Sequence, residues 1–144
     1  MPQTAISRYH FTVDWGGSRI GFAEVSGLDI EIEVVSQRDG SSSVDSEKRF
    51  PGLRKFSNIT LKRAILKGDN EFYDWINTKQ NSKIERRNLT VKLLDENHEP
   101  IIIWLIKDAF PIKYSGPILV SNSSEIAMET LELTHEGITI ENIA

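Results

Sequence analysis

The sequence predicts a mainly β domain, an antiparallel β-sandwich or barrel carrying one external α-helix, and three observations lead there. Apolar and polar residues alternate through most of the chain, as strands half-buried against a core require. Glycine, proline and Asp/Asn clusters punctuate the runs at hairpin spacing. One stretch only, about 70–79, switches to a helical period. The sum is about seven to nine antiparallel strands and one helix in a single domain over 1–144, without internal repeats.

Arg8 to Trp15 alternates, with Tyr9, Phe11, Val13 and Trp15 on one face. Gly16-Gly17-Ser18 turns the chain, and Arg19 to Val25 reads as the return strand of a hairpin. Leu28, Ile30, Ile32 and Val34 then alternate with Asp29, Glu31, Glu33 and Val35, which predicts a half-buried strand with an acidic outer face. About 37–55 reads as a long polar loop closed by Phe50-Pro51-Gly52. A loop of that length tends to be functional, and Val44, Phe50 and Leu53 suit it to order against a neighbouring subunit.

Phe56 to Ile65 is a strand with Ile59, Leu61 and Arg63 on one face. Gly68-Asp69 caps the helix, where Phe72, Trp75, Ile76 and Lys79 form one stripe while Glu71, Asp74 and Asn77 point away. Asp69 and Glu71 also suit the positive helix end. Glu85 to Leu94 resumes the alternation, with Leu89, Val91 and Leu93 opposite Asn88, Thr90 and Lys92. Ile101 to Ile106 is an apolar run that predicts a strand covered on both faces. The chain continues through Ala109-Phe110-Pro111 with a bend at the proline. Glu125 to Leu133 and Gly137 to Ile140 supply the last strands, and the slip from Ile126/Met128 to Leu131/Leu133 suggests a bulge.

The formal net charge of -4 argues against a surface that coats nucleic acid generally, which needs a basic face. The chain has no cysteine, so disulfides, thiolate metal sites and thiol nucleophiles are excluded. Met1 to Ser7 lacks a basic region followed by an apolar stretch, so we expect no secretory signal and a chain first made in the cytoplasm. Pro100 to Ile106, the longest apolar run, is too short for a membrane-spanning helix.

Catalytic and cofactor constellations are weak, and the expectation is a non-enzyme with no cofactor and no metal. His10, His98 and His135 have no His or Cys partner at ligand spacing and read as surface or interface residues. Asp95-Glu96-Asn97-His98-Glu99 lacks the ordered spacing and glycine of an EF-hand loop and reads as a solvated turn. Ser41 to Ser43 lie in a polar run without the rigid turn that a nucleophilic serine needs. Gly16 to Gly21 has no following helix to form a phosphate loop. Sequons at Asn58, Asn88 and Asn122 carry no weight without a signal peptide. The basic residues Lys48, Arg49, Arg54, Lys55, Lys62 and Arg63 match the acidic strip Asp29, Glu31 and Glu33, which suits head-to-tail contacts between identical copies.

The collinear order of short segments adds a resemblance. Tyr9-His10-Phe11-Thr12-Val13, Val25-Ser26-Gly27-Leu28 and Phe50-Pro51-Gly52-Leu53-Arg54 resemble the first half of contractile-tail tube proteins. Phe72-Tyr73-Asp74-Trp75-Ile76 resembles their helix region. Arg86-Arg87-Asn88-Leu89-Thr90-Val91, Ala109-Phe110-Pro111 and Leu131-Glu132-Leu133-Thr134-His135-Glu136-Gly137 resemble their second half. The resemblance spans nearly the whole chain and is to the inner-tube proteins of contractile injection systems, a fold shared with phage tail tubes and the type VI secretion tube.

What the resemblance implies is a structural subunit of a rigid inner tube. Hexameric rings share a continuous β-barrel around a lumen and stack into a tube, and a contracting sheath drives that tube through a target membrane to deliver cargo. The expected partners are further copies of the chain, the sheath protein, baseplate or hub and tube-terminating cap proteins, and protein toxin or DNA in the lumen. Assembly is expected in the cytoplasm before incorporation into an extracellular or phage-tail-like particle, without stable membrane insertion. Ring stacking is expected at Val44, Lys48, Arg49, Phe50, Pro51, Leu53 and Arg54; the lumen at Glu31, Glu33, Thr90 and Lys92; the sheath-facing side at Glu71 and Asp74. The alternatives are a baseplate-proximal tube initiator, a secreted type VI-like tube protein, and a phage tail tube conducting DNA.

Overall fold

The computed structural model describes residues 5–38, 40, 47–78 and 83–143. Nine strands and one helix run in the order β1 (Phe11–Asp14), β2 (Glu24–Ser26), β3 (Ile30–Gln37), β4 (Lys48–Phe56), β5 (Ile59–Ala64), α1 (Glu71–Ile76), β6 (Arg87–Leu94), β7 (Pro100–Ser115), β8 (Met128–Thr134) and β9 (Gly137–Asn142). All strand pairs are antiparallel.

The 16-residue β7 is the spine. Its first half pairs with β6 and β9, and its second half, Phe110–Ser115, pairs with β8. Two four-strand groups result, β1-β6-β7-β9 and β7-β8-β5-β2, which share β7. The passage between them falls at Asp108, which bulges out with φ 51° while its N–H donates to Asn88 Oδ1 at 3.0 Å.

The inner faces of both groups form one core. Val13, Leu89, Val91, Ile106 and Ile138 come from the first, and Ile59, Leu61, Leu131 and Leu133 from the second. The predicted inward faces of β5 and β6 are therefore correct: Ile59, Leu61, Leu89 and Val91 are buried. Helix α1 lies outside and inserts Phe72 and Trp75, which join Trp15 with ring centroids 5.1 and 5.8 Å away. It is shorter than the predicted 70–79: Asn77, whose N–H still donates to the Tyr73 carbonyl, is the C-cap, and the Thr78 N–H turns back to the Trp75 carbonyl; Lys79 lies outside the described residues.

Several expectations change. Arg19 to Val25 is no return strand for β1: among the described residues a single backbone hydrogen bond, Val13 N–H to Ile20 O, joins the two segments, beside the Trp15 Nε1–H to Arg19 O bond. Arg19 is instead drawn to Asp69, and Glu24–Ser26 pairs with β5. The run Ile101 to Ile106, predicted to be covered on both faces, is only partly covered: Ile101 to Trp104 are half-buried, Leu105 is exposed and only Ile106 is fully buried. The slip near Met128 is no bulge in β8, whose burial alternates without a break. Glu129 simply occupies an inward position, opposite Arg63 in register, and that charge in an apolar phase mimics a slip. Finally, residues 48–55 of the predicted loop form β4, with Pro51 paired to Val34 and Gly52-Leu53 taken up by a bulge opposite Glu33.

Candidate assembly interface

Among the described residues, β3 and β4 pair with each other and with no other strand. They follow β2 and precede β5 directly, so the β2/β5 pair of the body continues outward as β3/β4. The joint is Gly27. Its φ of +90° is a left-handed conformation that side chains rarely adopt, and a Cβ there would lie 1.9 Å from the Asn58 carbonyl oxygen. Close backbone approach is the physical demand behind the glycine of Val25-Ser26-Gly27-Leu28.

Past the joint the ribbon is uncovered. Every residue of β3 is exposed on both faces, including Ile30, Ile32, Val34 and Val35, and on β4 only Phe56 is partly covered. The expected half-buried strand from Leu28 to Val34 is thus not buried within its own chain. An isolated two-stranded ribbon is marginal in water, and four aliphatic side chains on one exposed strand make it more so.

The predicted stacking residues Lys48, Arg49, Phe50, Pro51, Leu53 and Arg54 all sit on β4 and are exposed. Val44 lies outside the described residues. The charge argument changes, however. Glu31 is the register partner of Lys55, and Glu33 lies 3.9 Å from Lys55, so acidic and basic strips are neighbours within one ribbon. Their charges offset each other in the same chain, and such exposed pairs contribute little.

Arg63, placed by sequence in that basic cluster, is buried instead. Its Nε donates to Glu129 Oε1 at 2.7 Å and its Nη2 to Asp69 Oδ1 at 3.3 Å. Its guanidinium stacks over Phe72 at 3.8 Å, on which side Nη1 finds no hydrogen-bond acceptor. Asp69 also accepts from Arg19 and from the Glu71 N–H, so its carboxylate reaches the first turn of α1 from one residue before the N-cap Asn70. Burial pushes the Asp69 carboxyl up, but the Glu71 N–H and the two arginines outweigh it and hold its pKa below the ordinary value. Burial, then the hydrogen bond to Glu129, pushes the Tyr114 hydroxyl up. This network ties β5, β8, α1 and β7 into one block. The isolated polar phase of Glu129 was its one signal in the sequence.

Glu31 and Glu33 lie on the ribbon, whereas Thr90 and Lys92 lie on β6 in the other strand group, and no pairing joins them. Asp74 is exposed on α1, while Glu71 is half-buried and accepts from the Ser18 N–H at 2.9 Å. His10 and His98, far apart in sequence, meet with ring nitrogens 3.0 Å apart, a contact that ligand spacing along the chain could not reveal. Among the described residues no three His, Asp or Glu side chains are arranged to hold a metal ion, and no helix is long and apolar enough to cross a membrane.

The fold and this surface define a two-group antiparallel β-sandwich with an uncovered strand pair, and the chain belongs to the family of the T4-like virus tail tube protein gp19, whose model matches residues 7–139. It is similar to a chain in the cryo-EM structure of the anti-feeding prophage tube-terminating cap, with TM-score 0.89 and 31% identity over 99% of this chain and 95% of that one. It is also similar to a chain of the PVC sheath-tube complex in the extended state, an extracellular contractile injection system, with TM-score 0.87 and 30% identity over 96% and 93% of the two chains. Hcp1 from Flavobacterium johnsoniae shares the fold at TM-score 0.56 and 17% identity, over 92% of this chain and 94% of that one. No curated protein sequence matches significantly. The chain is a structural tube subunit of the contractile-injection type.

Proposed function

We propose that copies of this chain close into hexameric rings whose sheets join around a lumen. The rings stack into the rigid inner tube of a phage-tail-like particle, and a contractile sheath drives the tube through a target membrane to deliver cargo. The observation that carries this reading is the β3–β4 ribbon: eight residues of β3, several of them aliphatic, pair with β4 but are exposed on both faces, with no cover from the described residues of their own chain. The β7-β8-β5-β2 group supports ring closure. β2 forms one edge, and Phe110–Ser115 of β7 forms the other, paired only with β8. Two free edges on opposite sides suit head-to-tail closure, which removes both.

In this arrangement the ribbon contacts the adjacent ring through Lys48, Arg49, Phe50, Leu53 and Arg54, and Glu31 and Glu33 present charge to the lumen. Thr90 and Lys92 belong to the first strand group, away from the ribbon, and we give the lumen to the ribbon residues. Asp74 is the better sheath-facing candidate on α1, since Glu71 is engaged with Ser18. Protein toxin or DNA in the lumen, and baseplate and cap proteins at the ends, complete the particle. Assembly in the cytoplasm precedes release.

Negative-stain microscopy of the purified, concentrated protein tests the reading: annular particles and filaments are expected, and folded monomers alone would sink it. The likeness to a chain of a tube-terminating cap supports a second reading, a subunit that starts or ends the tube. That subunit forms rings but no long filaments, so tube length separates the two.

A further inference from the structure

Two apolar surfaces of this chain remain without a role, and they lie on opposite edges of one strand group. The first is the segment between β7 and β8. Ile118 and Leu119 are 91% and 86% exposed, and Val120 is about half exposed. These side chains do not sit on a loose tail. Ser123 N–H donates to the Val120 carbonyl at 3.2 Å, closing a turn, and Ile65 N–H donates to the Ala127 carbonyl at 3.0 Å, fixing the return into β8. The segment emerges from the β7 edge of the β7-β8-β5-β2 group.

The second surface is a groove of about 790 Å³ where the sandwich opens between β1 and β2, the edge strands of the two groups. It is lined by Phe11, Phe22, Val25, Leu28, Leu93 and Trp104, all half-buried, with Arg8 and Glu24 on its rim. Aromatic and aliphatic side chains at an open mouth lack packing partners on one side, as a docking groove does. β8 and β5 lie between β7 and β2, so three strand spacings, roughly 14 Å, separate the two edges, and the exposed segment does not line the groove of its own chain.

We propose that Ile118, Leu119 and Val120 of one copy seat in the β1/β2 groove of the next copy around the ring. The occupant is a second copy because one chain carries both halves of the contact, each presented at the edge where ring closure brings neighbours together. A patch that meets a different patch on an identical copy is a heterologous contact, and heterologous contacts close rings when their rotation closes. The inference rests on the ring reading given above. It adds which residues form the lateral seat, separate from the β4 residues assigned to stacking.

The test uses the full chain. Leu119→Asp changes a side chain with almost no intramolecular contact, so its melting temperature is expected to match wild type while the ring fraction at fixed concentration falls roughly tenfold or more. Because the chain has no cysteine, Leu119→Cys combined with Val25→Cys reports the contact directly. Under oxidation it is expected to give a ladder of linked copies on a non-reducing gel, and each single cysteine variant is expected to give at most a dimer. Wild-type rings from Leu119→Asp with no ladder from the double variant would overturn the seat and leave the ring reading standing. Single rings that form but fail to stack would likewise overturn it, by moving the segment to the axial contact. Absence of rings from wild type would remove the ring reading and the seat together.

Discussion

Two strand pairs of equal hydrophobic pattern meet opposite fates in this chain. β5 and β8 bury every second residue, and Ile59, Leu61, Leu131 and Leu133 lie wholly inside the core. β3 alternates just as regularly, yet Ile30, Ile32 and Val34 are exposed and none of the described residues covers them. Alternation therefore marks a face that needs cover, and only the arrangement of elements says whether the cover comes from the same chain. The body is built to be stable alone. The ribbon continues that body's sheet past a single glycine joint and depends on the body for its place.

The comparison breaks most sharply at Arg63. Removing Arg63 leaves the buried Glu129 without its cation and takes one of two arginines from Asp69, so Arg63→Ala is expected to cost about 3–5 kcal/mol in urea unfolding and to unfold the body, ribbon or not. Unchanged stability would mean that the network does not hold β5 to β8 and α1.

The joint comes next. Gly27→Ala meets both the left-handed φ and the Asn58 carbonyl, and is expected to cost about 2 kcal/mol or more. It is also expected to redirect the ribbon, so that tubes are lost even where the body stays folded below its melting temperature. Circular dichroism melts paired with microscopy separate the two effects.

Acid sharpens the contrast further. The Asp69 carboxyl holds its proton less tightly in the folded chain than in the unfolded one. Its contribution is therefore present above the ordinary value of 3.8 and is lost as the pH falls through that value and on through the lower folded one. Asp69→Asn is expected to flatten the fall in melting temperature below about pH 4. An Asp74→Asn control on the exposed side of α1 is expected to leave it unchanged.

The smallest stability change belongs to the ribbon. Phe50→Asp is expected to shift unfolding by less than about 0.5 kcal/mol, since the side chain is nearly half exposed, while abolishing ring stacking. Tubes of wild-type length from this variant would remove β4 from the stacking contact.

Much of the candidate interface was legible. The segment 48–54 was singled out because Phe50 and Leu53 are apolar where a loop is expected to be polar, and that oddity reflects a surface awaiting cover. Its strand character was hidden by Pro51-Gly52, which reads as a turn but leads into the bulge at Gly52-Leu53. The charge pairing was misread between chains, because sequence cannot tell that Lys55 lies across the ribbon from Glu31 rather than on another copy. The burial of Arg63 was equally hidden, since its carboxylate partner Glu129 is distant along the chain and close only across β5 and β8.

The sequence by itself determined the strand periods, the single helix and its aromatic stripe, the glycine at the joint and the absence of thiol chemistry. All of these follow from local backbone preference and from which atoms a residue carries. Tertiary structure alone decided that β2 pairs with β5 rather than β1, that Arg63 meets Glu129 and Asp69 on its inward face, and that the sandwich mouth and the Ile118 segment sit at opposite edges. Pairing and register depend on free energies summed over residues distant in sequence, and a period of two is satisfied equally well by many partners.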